Sequence, residues 1–456
     1  MQNFLSLLPS ELLLNVASRL APADLNSLLH CSRCLSTYFT DVGLQEAWLV
    51  RKYGMEAALL QACQQAATAG LVSRLLAAPG LDVNAADHGG ATALCIAGQG
   101  GHTAVVQLLL GAPDLDVNAA DNEGVTALHV AVVLGHAAIV QLLLGAPGLD
   151  VNAADNDGAT ALHAACLRGH AAIVQLLLGT PGLDVNAVDH DGATDLHYAV
   201  GEGHAAIVQL LLGAPGLDVN AAAHNGYIAL HYAVDDDHAA VVLLLLGAPD
   251  LDVNAADYGG RTALLIASLK GHATIVEPLL AVPGLDVNAA DNGGATALHC
   301  AVLKGHTAIV QLLLAAPGLD VNAAAHSGSM ALHLAVEKGH NAIVQLLLGA
   351  PGLDVNAALH GVTALAMARW AGHVAIVQLL EGVSGVQSCM ACKGLGGDHQ
   401  LKGWRWQVWG RIWYRGGTRI WGHCTRVGTG TCWVARPPGV RVPGWDLVPG
   451  QDLHQR

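Results

Sequence analysis

The tetrapeptide Leu-Asp-Val-Asn begins at Leu81, Leu115, Leu149, Leu183, Leu217, Leu251, Leu285, Leu319 and Leu353, always 34 residues apart. A fixed period in this range means a stack of like units, each burying its apolar faces only against its neighbours. A single central core is thereby excluded. Composition agrees: 53% of residues are apolar but only 4% are aromatic, with two Phe in 456 positions. Such a chain must build its interior from Ala, Val, Leu and Ile in many thin layers.

One unit runs from Asp121 to Ala154. Asp121 and Gly124 frame a turn, Gly taking the position that tolerates positive φ. Thr126 reads as the N-cap of a short helix from Ala127 to about Leu134, and Gly135 ends it in the left-handed conformation. A second helix follows over Ala137 to Leu144, with Ile139, Val140, Leu143 and Leu144 as its buried stripe. Gly145 to Gly148, Pro147 included, stop that helix, and Asp150-Val151-Asn152 leads into the next turn. Helices of about eight residues are marginal alone, so stacking must stabilise them.

The pattern G-x-T-A-L-H-x-A, then G-H, I-V-x-L-L-L and N-A, resembles the ankyrin repeat, with Ala where that family usually has Pro. Tetratricopeptide repeats share the period but need longer helices and fixed aromatic residues, which are missing. The resemblance implies an all-α ankyrin-repeat solenoid over residues 55–383. It comprises a degenerate N-terminal cap (Glu56 to Ala86) and nine 34-residue units from Asp87, the last one residue short between Asn356 and Thr363. Two units break the pattern. In the fifth, Asp237 stands where others have the helix-ending Gly, at a cost of roughly 1 kcal/mol. In the sixth, Pro278 falls inside the second helix, which can cost about 3 kcal/mol, and a local weak point is expected there.

Residues 1–54 lie outside the repeat. Leu7-Leu8-Pro9-Ser10-Glu11-Leu12-Leu13-Leu14 opens a helix with Pro9 in its first turn. Val16 and Leu20 continue the apolar spacing, Asp24-Leu25 starts a second helix, and a third segment ends in Ala47-Trp48. The segment resembles an F-box: L-P-x-E-L-L-L-x-V, a D-L pair and a distal Trp. That resemblance implies that Leu8, Pro9, Leu12, Leu20 and Leu25 dock onto the adaptor subunit of an SCF-type ubiquitin ligase. The alternative is a plain helical cap on the first repeat.

Residues 384–456 change character, holding ten Lys and Arg against three Asp, seven of the nine Trp and 14 Gly. The tail is expected to be disordered and is assigned no function. Its charge is +7 against −22 for the remaining residues, so the repeats are an acidic body unsuited to nucleic acid. Cys389-x-x-Cys392 is followed by Cys424 and Cys432 at a spacing that fits zinc poorly, and no metal or cofactor is expected. No apolar run approaches a membrane span and no signal peptide is visible. The scattered cysteines suit a reducing compartment, so the expected location is cytoplasmic or nuclear.

Enzyme signatures fail simple tests, and an enzyme is not expected. No Lys follows a Gly, no His precedes a Glu, and no G-x-S-x-G elbow occurs. Fifteen of the 24 His fall at two fixed repeat positions: the T-A-L-H site (His129, His163, His197, His231, His299, His333) and the G-H site (His102 through His373). One residue per unit at a fixed place reads as capping or turn chemistry. The recurring Asp87, Asp121, Asp155, Asp189, Asp257 and Asp291 read as turn residues.

Recognition is expected at positions that vary while the frame stays fixed. On the concave face of units four to six these include Tyr198, Glu202, Tyr227, Tyr232, Asp235, Asp236 and Tyr258. Tyr anchors interfaces at low rotamer cost, and acidic neighbours favour a basic protein partner. The combined expectation is a substrate-recognition subunit: F-box to the ligase adaptor, ankyrin face to a protein substrate. The alternative is a non-enzymatic ankyrin scaffold whose N-terminal helices only cap the stack.

Overall fold

The computed structural model describes residues 46, 49–50, 53–64 and 69–383. Among them, α1 (Met55–Gln64) and α2 (Ala69–Leu76) form the first helix pair. Units one to three contribute α3 (Ala93–Gln99) with α4 (Thr103–Leu110), α5 (Ala127–Val133) with α6 (Ala137–Leu144), and α7 (Ala161–Arg168) with α8 (Ala171–Leu178). Units four to six contribute α9 (Asp195–Gly201) with α10 (Ala205–Leu212), α11 (Ala229–Asp235) with α12 (Ala239–Leu246), and α13 (Ala263–Lys270) with α14 (Ala273–Leu280). Units seven to nine contribute α15 (Ala297–Lys304) with α16 (Thr307–Ala315), α17 (Ala331–Lys338) with α18 (Asn341–Leu348), and α19 (Ala364–Ala371) with α20 (Val374–Glu381). First helices pack on first helices and second on second, so the array is an all-α solenoid. In unit two the second helix has the expected bounds, and the first ends at Val133 with Leu134 as its C-cap.

The interior is a continuous series of thin layers. Ile139, Val140 and Leu143 of α6 are buried, as are Ala127, Leu128, Ala131 and Val132 of α5. The small Ala residues let neighbouring first helices approach closely, which explains how so few aromatics suffice. At the N-terminal end the core already includes Leu49, with Val50 and Tyr53 packed against it.

The fixed polar residues tie each unit to the next. In the turn, Asp121 Oδ1 accepts the N–H groups of Glu123 and Val125, both at 2.9 Å. Gly124 has φ of +79°, and a Cβ added there would stand 2.8 Å from the backbone nitrogen of Asn156 in the next turn. Asn118 forms a second tie. Its Nδ2 donates to the Gly148 carbonyl and its Oδ1 accepts from the Asp150 N–H, each at 2.8 Å. The same pair of bonds recurs from Asn84 to Asn322.

The T-A-L-H histidines make the third tie, and the expectation of capping chemistry holds. His129 Nδ1 accepts the Thr126 N–H at 3.2 Å and Thr126 Oγ1 accepts the His129 N–H at 3.5 Å, a reciprocal capping box. The opposite ring nitrogen then carries the proton and donates to the Ala159 carbonyl of the next unit at 3.2 Å. His163, His197 and His299 meet a carbonyl of the next unit in the same way, while His231 and His333, with Ile228 and Met330 in place of the capping Thr, still accept the cap N–H and meet the Ala255 and Ala357 carbonyls at the end of their own units. Burial lowers the pKa of all six, His197 to about 4. They are neutral structural rings.

Units five and six depart from this frame. Ala223 replaces the turn Asp, Ile228 the capping Thr, and Leu265 the capping His. Asp237 takes the left-handed conformation at φ +58°, as its place in the helix-ending position requires. The helix α14 continues through Pro278, half-buried beside the buried Leu279. The shortened turn of unit nine closes as a hairpin, β1 (Ala358–Leu359) against β2 (Val362–Thr363). Its two loop residues, His360 and Gly361, have φ of +48° and +80°, the signature of a two-residue primed turn.

Candidate protein-binding face

The residue following each capping His and the residue preceding each capping Thr lie at the edge of the core, half-buried except at the buried Ile266 and Cys300. Most units place small or aliphatic side chains there. Units four to six place Tyr198, Tyr227, Tyr232 and Arg261. The Tyr198 hydroxyl donates to Asp189 Oδ2, while Asp189 Oδ1 accepts the N–H groups of Asp191 and Ala193 at 2.8 Å each. Burial works to raise the Asp189 carboxyl, but these three donors outweigh it and hold it below its ordinary range. Burial, followed by the bond to Asp189, raises the Tyr198 hydroxyl. The Tyr232 hydroxyl accepts from Asn225 Nδ2 at 3.0 Å. Arg261 Nη2 donates to the Tyr227 hydroxyl at 3.0 Å, and its Nε donates to Asp257 Oδ2 at 2.7 Å.

The rings themselves are in contact. Tyr227 and Tyr232 meet edge-on with centroids 5.2 Å apart. Tyr198 lies edge-on to the His163 ring at 5.5 Å and Tyr232 to the His197 ring at 5.4 Å. These tyrosines are therefore held by the stack itself, a platform ordered before any partner arrives. Tyr258 is different: it sits at the turn tip of unit six and is 75% exposed.

Glu202 and Asp236 are the exposed C-cap residues of α9 and α11. Asp235, the last residue of α11, is ion-paired with Lys270 at 2.9 Å. The acidic flank is thus partly matched from within the stack, and Lys270 joins the face although its sequence position alone gave no reason to include it. The other recognition candidates, Leu8, Pro9, Leu12, Leu20 and Leu25, lie outside the described residues, as do residues 384–456.

Two internal features are missed by a reading of surface variation. Unit four reads T-D-L-H where the pattern has T-A-L-H, which puts Asp195 in the core with no exposed surface. Neither carboxyl oxygen has a hydrogen-bond partner, and His163 Nδ1 is 3.6 Å from Oδ1. Burial, and after it the charge of Asp184, raises this carboxyl well above its usual range. The second feature is His272, drawn by Asp237 into a 3.2 Å contact through Nδ1, with its Nε2 buried and unpartnered. The equivalent Nε2 atoms of His170, His238 and His306 each meet a carbonyl of the preceding unit.

Burial pushes the Cys63 and Cys300 thiols up to about 12, and Cys166 is likewise raised, which leaves these thiols inert. Among the described residues no three His, Cys, Asp or Glu side chains converge as a metal site, and no helix is long and apolar enough to cross a membrane. What the face offers is ordered aromatic surface, hydrogen-bonding hydroxyls and alternating charge.

The family model for ankyrin repeats (3 copies) matches residues 59–155, 147–223, 181–257, 214–291, 230–325 and 317–384. A search of curated proteins finds no match. Among solved structures, the chain is similar to that of the ankyrin repeat domain of Bcl-3, a unique member of the IkappaB protein family. The identity is 30% and the TM-score 0.46, over 50% of this chain and 99% of that one. Repeats of this kind form protein–protein interaction modules, and the chain belongs to the ankyrin-repeat family.

Proposed function

We propose that the protein is a substrate-recognition subunit of an SCF-type ubiquitin ligase. Residues 1–54 would be its F-box, engaging the adaptor through Leu8, Pro9, Leu12, Leu20 and Leu25, and the first-helix face of units four to six would hold a basic protein substrate. The observation that carries the reading is the L-P-x-E-L-L string placed directly before an ankyrin array. That array already has α1 and α2 covering its first unit, with Leu59, Leu71 and Leu75 buried, so it has no need of a further lid. The subunit would do no chemistry itself. It would raise the substrate's local concentration beside the ubiquitin-transfer machinery, in the cytoplasm or nucleus.

The second reading is a scaffold whose N-terminal helices serve only as a cap. It is favoured by Leu49, buried in the array's core, and by Glu46, ion-paired to Arg74 at 2.7 Å. Full-length protein incubated with purified SCF adaptor separates the two. The ligase reading expects co-purification that is lost in a Pro9→Ala, Leu12→Ala variant. Absence of binding by the unaltered chain, or equal binding by both proteins, would leave the scaffold.

A further inference from the structure

Hydrogen bonding on the tyrosine platform has a direction that leaves two donors unused. Asn225 Oδ1 accepts the Tyr227 N–H at 2.8 Å, which fixes the orientation of its amide. Its Nδ2 therefore donates, and the Tyr232 oxygen must be the acceptor of their 3.0 Å bond. Arg261 has only donors, so the Tyr227 oxygen likewise accepts from Nη2. Both hydroxyl protons are left without an acceptor among the described residues. Tyr198 has the opposite polarity, its proton being given to Asp189 Oδ2. Unit five thus holds two spare O–H donors side by side, on rings whose centroids are 5.2 Å apart.

Tyr198 and Tyr232 fill the same position of consecutive units, and packed helices stand about 8–10 Å apart. A polyproline II helix completes its turn in about 9 Å and leaves every backbone carbonyl without an internal partner. A strand returns the same face after about 6.6 Å. An α-helix does so after about 5.4 Å and uses its carbonyls internally. Polyproline II therefore matches both the spacing of the rings and the spare donors. Charge sets the flanks: no Lys or Arg occurs from Gly169 to Gly260, while Asp191, Glu202 and Asp236 are exposed. The bordering Arg261 and Lys270 are already paired with Asp257 and Asp235. We propose that units four and five seat a proline-bearing segment in polyproline II conformation. Prolines three residues apart lie against Tyr198 and Tyr232, carbonyls accept the Tyr227 and Tyr232 hydroxyls, and flanking Lys or Arg side chains meet the exposed carboxylates. The proposal rests on the reading of this face as the seat of a basic protein, and adds the backbone conformation it selects. Proline fixes φ in advance, which lowers the cost of ordering the segment.

The test uses the full-length protein and two labelled peptides of equal length, read by fluorescence anisotropy. One carries Pro at every third position and Lys at both ends; the other has Ala in place of each Pro and keeps the Lys. The proline peptide is expected to bind about tenfold more tightly. A Tyr227→Phe, Tyr232→Phe variant keeps both rings and removes only the hydroxyls, so most of that advantage should be lost in it. Equal binding of the two peptides by the unaltered protein would overturn the polyproline conformation while leaving a basic partner standing. An undiminished advantage in a variant whose melting temperature is unchanged would overturn the role of the hydroxyls, and the proposal with it. No binding of either peptide would overturn both the conformation and the basic partner.

Discussion

Asp195 is the residue whose environment conflicts most with its chemistry. In the other units its place is taken by Ala, and the surrounding space is that of a small apolar contact. A buried polar group without a partner costs about 1–3 kcal/mol, so Asp195→Ala is expected to stabilise the array by about 2 kcal/mol at pH 7, measured by urea unfolding. Because burial raises its pKa in the fold, the unfolded chain releases this proton at lower pH than the folded one. The Asp195 contribution therefore worsens as pH rises above the ordinary Asp range, and the gain from Ala should shrink on acidification. The six capping histidines have the opposite sign. Their pKa values are lowered in the fold, so stability is complete above their ordinary 6.5 and is lost as pH falls below it, for His197 down to about 4. Between its folded and unfolded pKa each contributes a slope of up to about 1.4 kcal/mol per pH unit. Unfolding midpoints measured between pH 7 and pH 4 should fall steadily; a flat profile would mean that the rings are not held neutral.

The helix pairs show what was legible in the sequence and what was not. Turn Asp, capping Thr, capping His and helix-ending Gly each have one geometric role that repeats down the stack, so the period alone placed α5 and α6 to within a residue. The links between variable residues have no period to betray them. Lys270 reaches Asp235, Arg261 reaches Tyr227, and Tyr198 turns back to Asp189, contacts that only the stacked geometry creates. Asp195 was equally opaque, because an acidic residue beside a turn looks solvated until its burial is known. Pro278 illustrates the reverse case: it was visible in the sequence as a helix breaker, yet α14 runs on to Leu280. The neighbouring stacked helices hold it in place with one backbone donor missing. Pro278→Leu, the residue most units carry there, should recover about 2 kcal/mol. Asp237→Gly should add about 1 kcal/mol by removing the left-handed strain and freeing His272 to meet a carbonyl as its counterparts do. Both are read from denaturant midpoints at constant m-value.

Across the whole array, the departures from the frame are densest where the proposed recognition residues lie, although Ala325 and Met330 of unit eight make the same replacements as Ala223 and Ile228. Ala223, Ile228, Asp237, Leu265 and Pro278 crowd into units five and six, where Ser268 Oγ and His272 Nε2 are also buried without partners. Those units supply Tyr227, Tyr232, Tyr258 and Arg261 to the exposed face. In a stack, stability is a sum of unit and neighbour terms, so a weakened pair opens locally while its flanks stay closed. Sequence rules fail most often where function competes with stability, as we propose for units five and six. Amide hydrogen exchange resolved along the full-length chain tests it directly. Helices α11 to α14 should exchange measurably faster than α5 to α8 on one side and α15 to α16 on the other. Uniform protection from α5 to α16 would contradict the coincidence of weakness and recognition, and would make the departures in units five and six neutral drift.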